Sequence, residues 1–250
     1  MTVPHLEKEI PAKDRIIVAL DVDSAAEARE LIAEIGDAVG AFKIGLQLFA
    51  ATGPELVREI SCSGHKVFLD LKFHDIPNTV AKAGVEAARL GVWMFNVHAL
   101  GGGEMMRRTV IEVDEVCASE GLSRPKMIAV TVLTSSDANE LRDVGIEREV
   151  TKEVVHLAQL TAKCCMDGVV ASAQEAKRIR QAVGVDRFLV VTPGIRPASA
   201  TNDDQKRVMT PAEAVSSGSD LLVIGRPITK AADKLGAVAS IVDEIKGAVN

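Results

Sequence analysis

Short apolar runs alternate along the chain with stretches whose apolar residues recur at helical spacing. Eight runs predict strands: residues 15–20, 41–45, 66–71, 94–98, 127–132, 168–171, 188–192 and 221–224. Several are continuously apolar, as in Ile16-Ile17-Val18-Ala19-Leu20, which is how parallel strands covered on both faces read. Between them, Ser24 followed by Glu27 makes a capping box, and Ala28, Leu31, Ile32 and Ile35 form the apolar stripe of a first helix. Further helices are expected over 54–61, 77–90, 103–120, 149–165, 173–183, 211–217 and 231–249. Pro54, Pro77 and Pro211 suit first-turn positions, where a missing N–H costs nothing.

Strand and helix alternating eight times predict an α/β fold, a single (β/α)8 TIM barrel over residues 1–250, with 1–13 as an N-terminal extension. An open doubly wound sheet is the rival. It calls for a glycine-rich turn after the first strand, where this chain has Asp21-Val22-Asp23-Ser24. The longest irregular stretch, 193–209, is rich in Pro, Ser, Asn and Asp, and a loop that long in a compact fold is usually functional.

A length of 250 residues suits one such barrel, and 47% hydrophobic residues supply a large core. Net charge is -6, and no basic tract or aromatic array points to a nucleic-acid partner. The apolar runs are too short to cross a bilayer, so no membrane association is expected. Glu7, Lys8 and Glu9 sit where a secretion signal would need an apolar core. Cys62, Cys117, Cys164 and Cys165 form no C-x-x-C pair, which reads as reduced thiols in a cytoplasmic protein. His5, His65, His74, His98 and His156 lack metal-type spacing, and no metal site is expected. Gly101-Gly102-Gly103 has no following Lys-Ser/Thr and reads as a turn after a strand.

Chemistry in this fold sits at the C-terminal ends of the strands. There the chain places Asp21, Lys43, Asp70-Leu71-Lys72 followed by Asp75, Asn96-Val97-His98, Thr134-Ser135-Ser136, Thr192-Pro193-Gly194-Ile195-Arg196 and Gly225-Arg226-Pro227. Alternation turns Asp70 and Lys72 to one face, the barrel interior, and Leu69 and Leu71 to the helices. A buried unpaired charge costs several kcal/mol, and Lys43, Asp70, Lys72 and Asp75 could offset one another. Spacing alone fits a salt bridge at the barrel rim equally well. His98 reads as a hydrogen-bonded structural histidine, and Arg226 by itself as a surface charge.

The run Phe68-Leu69-Asp70-Leu71-Lys72-Phe73-His74-Asp75-Ile76-Pro77-Asn78-Thr79 resembles the signature of the orotidine 5'-phosphate decarboxylase family. Its D-x-K-x-x-D core is shared with a wider barrel superfamily, whereas Ile-Pro-Asn-Thr is specific to this family. Ala19-Leu20-Asp21, Lys43-Ile44-Gly45, Asn96-Val97-His98-Ala99, Val130 to Ser135, Thr192 to Pro197 and Ile224 to Pro227 are similar to further family segments, in the same order. The resemblance runs from about Arg15 to the last helix.

It implies decarboxylation of orotidine 5'-monophosphate (OMP) to UMP without a cofactor. Lys72 would be the proton donor to C6 and Asp70 the carboxylate beside the departing group, with Lys43 and Asp75 completing the charged array. Asp21 and Lys43 would contact ribose hydroxyls, and Thr134 would lie near the pyrimidine. Arg196, Gln205, Gly225 and Arg226 would close over the site or hold the phosphate. The resemblance also implies a homodimer in which Asp75, Ile76 and Thr79 reach the neighbouring subunit's site. Some relatives use a tyrosine near the phosphate. This chain has none, so Gln205, Arg226 and backbone N–H groups are expected to carry more of that contact. A metal-binding sugar-phosphate decarboxylase or aldolase of the same superfamily and a non-catalytic nucleotide binder are the rival readings.

Overall fold

The computed structural model describes residues 10–185, 187–197 and 209–249. Its eight strands are β1 (Ile16–Ala19), β2 (Ala41–Gly45), β3 (Val67–Phe73), β4 (Met94–His98), β5 (Lys126–Val130), β6 (Gly168–Val170), β7 (Leu189–Thr192) and β8 (Leu221–Ile224). They pair in parallel in sequence order, and β8 pairs back with β1, closing a barrel. Closure excludes the open doubly wound sheet. The helices are α1 (Ala25–Ile35), α2 (Leu46–Cys62), α3 (Pro77–Arg89), α4 (Gly102–Glu120), α5 (Ala138–Asp143), α6 (Val150–Lys163), α7 (Ala173–Val183), α8 (Pro211–Ser216), α9 (Arg226–Thr229) and α10 (Lys234–Val249). None of them is long and apolar enough to cross a membrane.

Strand alternation divides the core into two layers. Ile17, Ala19, Ala41, Phe68, Met94, Ile128, Val191, Leu221 and Val223 pack with one another inside the barrel. Their neighbours in sequence, such as Ile16, Val18, Phe42, Ile44, Leu69 and Phe95, pack outward against the helices. Each strand is apolar on both faces, hence the continuous runs.

Local chemistry fixes the helix starts. The Ser24 hydroxyl accepts the Glu27 N–H at 3.2 Å and opens α1. Pro77 and Pro211 occupy the first turns of α3 and α8. The helix expected from Pro54 begins earlier, at Leu46, but Gly53 at φ 66° breaks it, so Pro54 starts its second segment. Two helices were not expected: α5, opened by an Asp137–Glu140 capping box, and the single turn α9. Strand β3 runs two residues past its expected end at Leu71.

Partly exposed ion pairs tie the strand starts at the opposite end from the mouth. Arg180 donates to the Gly218 carbonyl at 3.0 Å and also binds the Phe188 carbonyl and Asp220, which in turn accepts the Val190 N–H at 2.7 Å. Arg124 pairs with Asp167, which accepts the Met127 N–H at 2.7 Å. At the start of β6, a Cβ on Gly168 would collide with the Leu189 carbonyl, so the approach of β7 there requires glycine.

Candidate active site

The interior rows turn polar as the strands approach the mouth. On β2, Lys43 follows Ala41; on β3, Asp70 follows Phe68; on β4, Asn96 follows Met94. Above the apolar floor lies a cavity of about 280 Å³, lined by Asp21, Lys43, Asp70 and Lys72 on one side. Thr134, Arg196, Gly225 and Arg226 line it elsewhere.

Four of these groups form one alternating row. Lys43 Nζ lies 3.3 Å from Asp21 and 3.4 Å from Asp70, and Lys72 Nζ lies 2.8 Å from the other Asp70 oxygen. The Lys43 and Asp70 side chains are only 11% and 14% exposed, so their charges are held mainly by each other. Asp70 and Lys72 thus share the interior face, as alternation predicts, and belong to a row of four charges rather than an isolated pair. Asp75 is not part of this row: it is exposed and its carboxylate accepts the Ile76 N–H at 2.6 Å. The fourth member within the chain is Asp21. Ile76 and Thr79 are exposed as well, and neither lines the cavity.

Two further residues complete the geometry. Asn96 is fully buried; its Nδ2 donates to Asp70 at 2.7 Å, and its Oδ1 accepts the Lys72 N–H at 2.8 Å. In the sequence Asn96 stands as a polar strand end within a family-like segment, with no role expected of it. His98, at the C-terminal end of β4, stacks on His74 with centroids 5.5 Å apart. Burial, and then the neighbouring His74 and Lys72, hold its pKa below the usual imidazole value, so its ring is neutral near pH 7. Its buried Nδ1 has no hydrogen-bond partner among the described residues, so the expected hydrogen-bonded histidine is not found at that nitrogen.

Across the mouth, the Arg196 N–H donates to the Met209 carbonyl at 3.1 Å, and Ile195 and Met209 form a parallel bridge. The long connection after β7 therefore leaves and returns at one point beside the cavity. Gln205 lies outside the described residues. The Gly225 backbone abuts Asp21, whose carboxylate would stand 3.3 Å from a Cβ placed there. Among the described residues, no three His, Cys, Asp or Glu side chains cluster to hold a metal.

Residues 14–241 match the family model described as Orotidine 5'-phosphate decarboxylase / HUMPS family. The chain belongs to this family. Among its relatives, the orotidine 5'-phosphate decarboxylase of Geobacter sulfurreducens is 57% identical over 234 residues, covering 94% of this chain and 97% of the relative. That of Syntrophotalea carbinolica is 51% identical over 240 residues, covering 96% and 98%. The crystal structure of orotidine 5'-phosphate decarboxylase from Lactobacillus acidophilus superposes with a TM-score of 0.81 at 37% identity, covering 92% of this chain and 98% of that one. The orotidine 5'-phosphate decarboxylase match takes in every charge of the mouth and both ends of the 195–209 connection.

Proposed function

We propose that the chain decarboxylates OMP to UMP and CO2 in pyrimidine biosynthesis, with no cofactor. The observation that carries this reading is the Lys72 ammonium, 2.8 Å from Asp70 and lining the cavity at the C-terminal end of the barrel.

Breaking the C6–carboxylate bond leaves an electron pair at C6 in an sp2 orbital lying in the ring plane. The ring π system cannot accept it, so stabilisation has to come from fixed charge already in place. The Lys72 ammonium supplies that charge. One unit charge about 4 Å away contributes roughly 4 kcal/mol at an effective dielectric near 20, about a thousandfold in rate. Lys72 then gives a proton from Nζ to C6, the C–H bond forms, and the resulting amine takes its proton back from solvent. Asp70, beside the substrate's carboxylate, repels it in the ground state, and that repulsion ends when neutral CO2 leaves.

The other mouth residues bind and orient. Asp21 and Lys43 take the ribose hydroxyls, and Thr134 the pyrimidine edge. Gly225, Arg226 and Gln205 take the phosphate, with Arg196 at the neck of the closing connection. Phosphate contacts far from C6 raise turnover if their energy drives that closure. Asp75, Ile76 and Thr79, exposed and outside the lining of their own cavity, are assigned to the site of a second copy in a homodimer. The exposure of Ile76, at 66%, supports an apolar contact there. The barrel is read as one cytoplasmic domain.

The test is the fall in OMP absorbance with purified chain, with and without excess EDTA. Turnover undiminished by the chelator is expected. Tight UMP binding with no turnover would mark a nucleotide binder, and EDTA-sensitive turnover a metal-dependent enzyme; either result refutes the proposal.

A further inference from the structure

The geometry points to Asn96 as a positioning residue for Lys72 and Asp70, an assignment that rests on the reaction proposed above. It begins with an irregularity in the sheet. The β3–β4 ladder pairs Phe68 with Met94 and Leu69 with Phe95, then next pairs Phe73 with Val97. Asp70, Leu71 and Lys72 thus all stand opposite Asn96 alone. An insertion of two residues preserves the inside–outside alternation, so Phe73 still packs outward while Asp70 and Lys72 both face in. It also forces the Lys72 backbone to φ 52°, a left-handed conformation that a lysine rarely adopts. Strain of this kind persists only where the surroundings enforce it.

Asn96 is what meets the bulge. With no ladder carbonyl opposite, the Lys72 N–H donates to Asn96 Oδ1 at 2.8 Å, while Asn96 Nδ2 donates to the Asp70 carboxylate at 2.7 Å. A buried backbone N–H and a buried carboxylate both need partners. One short side chain serves both only if it accepts at one end and donates at the other. A carboxamide does this; an ionised carboxylate cannot donate, and an aliphatic side chain can do neither. Asn96 is fully buried, so water does not substitute for it. One residue therefore sets the backbone that carries the ammonium and the carboxylate that holds it. It touches none of the groups assigned to ribose or phosphate.

The consequence is specific. Misplacement of a reacting group by about 1 Å costs on the order of a hundredfold in rate. Asn96→Ala should lower kcat about 100-fold and leave KM for OMP within about threefold. Asn96→Asp is the second variant, nearly unchanged in shape, and carries the test where the alanine variant does not fold. It keeps the acceptor for the Lys72 N–H but sets a carboxylate against that of Asp70. The other charged and titratable groups around the pair are Lys72, Lys43, Asp21, His98 and His74. Two adjacent carboxylates take up one proton between them, and the shared proton restores the missing donor. Activity of Asn96→Asp relative to the unmodified chain should therefore rise as pH falls from about 8 to about 6.

Steady-state kinetics on OMP across that range, with thermal melting of each variant, decide the matter. The proposal is overturned if Asn96→Ala keeps kcat within about fivefold of the unmodified chain, if the loss lies in KM, or if the Asn96→Asp profile runs parallel to the unmodified one. Unfolding of both variants at the assay temperature would assign Asn96 to folding alone and overturn it as well. Each of these outcomes leaves the unmodified chain active and the functional reading standing. An unmodified chain that releases no CO2 from OMP is a different result, which removes the functional reading and this inference together.

Discussion

Replacing Asp70 by alanine removes the hub of the charged row. Asp70 meets Lys72 at 2.8 Å, Asn96 at 2.7 Å and Lys43 at 3.4 Å. At an effective dielectric near 20, the two ion pairs correspond to roughly 6 and 5 kcal/mol of attraction. The net loss is much smaller, because the carboxylate's own desolvation cost disappears with it and water can enter the open mouth. Lys72 is 32% exposed and recovers solvation readily, whereas Lys43 is 11% exposed and keeps only Asp21, itself 60% exposed. Breaking one side of a buried pair costs about 3–5 kcal/mol. Solvent access to Lys72 puts Asp70→Ala at the lower end, about 3 kcal/mol. Urea unfolding followed by circular dichroism should show the midpoint falling by about 1 M or more, for a slope of roughly 2–3 kcal/mol per molar. The added change Lys43→Met should restore at least half of the loss, since it removes the stranded ammonium. A midpoint unchanged in Asp70→Ala, or a double variant whose losses merely add, would refute the claim that these charges hold one another in place.

Lys72→Ala should lose more than about a thousandfold in turnover with the melting temperature retained; activity within tenfold of the unmodified chain would contradict the role assigned to it. Mixing Lys72→Ala with Asp75→Asn chains should recover activity through hybrid dimers, and no recovery after subunit exchange counts against sites shared between copies. Arg226→Ala removes one charged hydrogen bond, of about 1.5–3 kcal/mol, and should raise KM for OMP roughly tenfold or more while changing kcat less; an unchanged KM excludes phosphate contact. His98 titrates below the usual imidazole value in the folded chain, so the unfolded chain binds more protons as pH falls past about 6.5, and stability declines there. Urea midpoints between about pH 7 and pH 5 should fall less in His98→Asn, and parallel declines would show that His98 is not responsible.

The barrel was legible because its signals are local. Strands apolar on both faces, prolines at the starts of α3 and α8, and the Ser24 cap each follow from neighbours within a few residues. Alternation likewise turned Asp70 and Lys72 to one face. What escaped depends on pairing between distant segments. The bulge opposite Asn96 is a property of the β3–β4 register, and nothing within residues 67–73 announces it. Asp21 joins Lys43 only because β1 and β2 are neighbours at the mouth, while Asp75, five residues beyond Asp70 and past the end of β3, lies outside the row of its own chain. Helix α5 was missed for a different reason. Its Asp137–Glu140 capping box was readable, but six residues with Leu141 alone buried make no apolar stripe.

The division of labour between the two barrel ends explains how so costly an arrangement persists. Two ammonium groups and two carboxylates sit in one short row, and the lysine at its end holds a left-handed backbone. Each of these features opposes folding, by desolvation or by strain. Stability comes instead from the apolar layers inside and outside the sheet and from the Arg124 and Arg180 networks at the strand starts. Because that cost is met when the chain folds, the charges need no rearrangement when a substrate carboxylate arrives, and fixed charge of this kind acts on the transition state at full strength. Loosening the array, by filling the row with apolar residues for example, should then raise stability as it removes turnover. The same substitution made in the Arg180 network should lower stability and spare the chemistry.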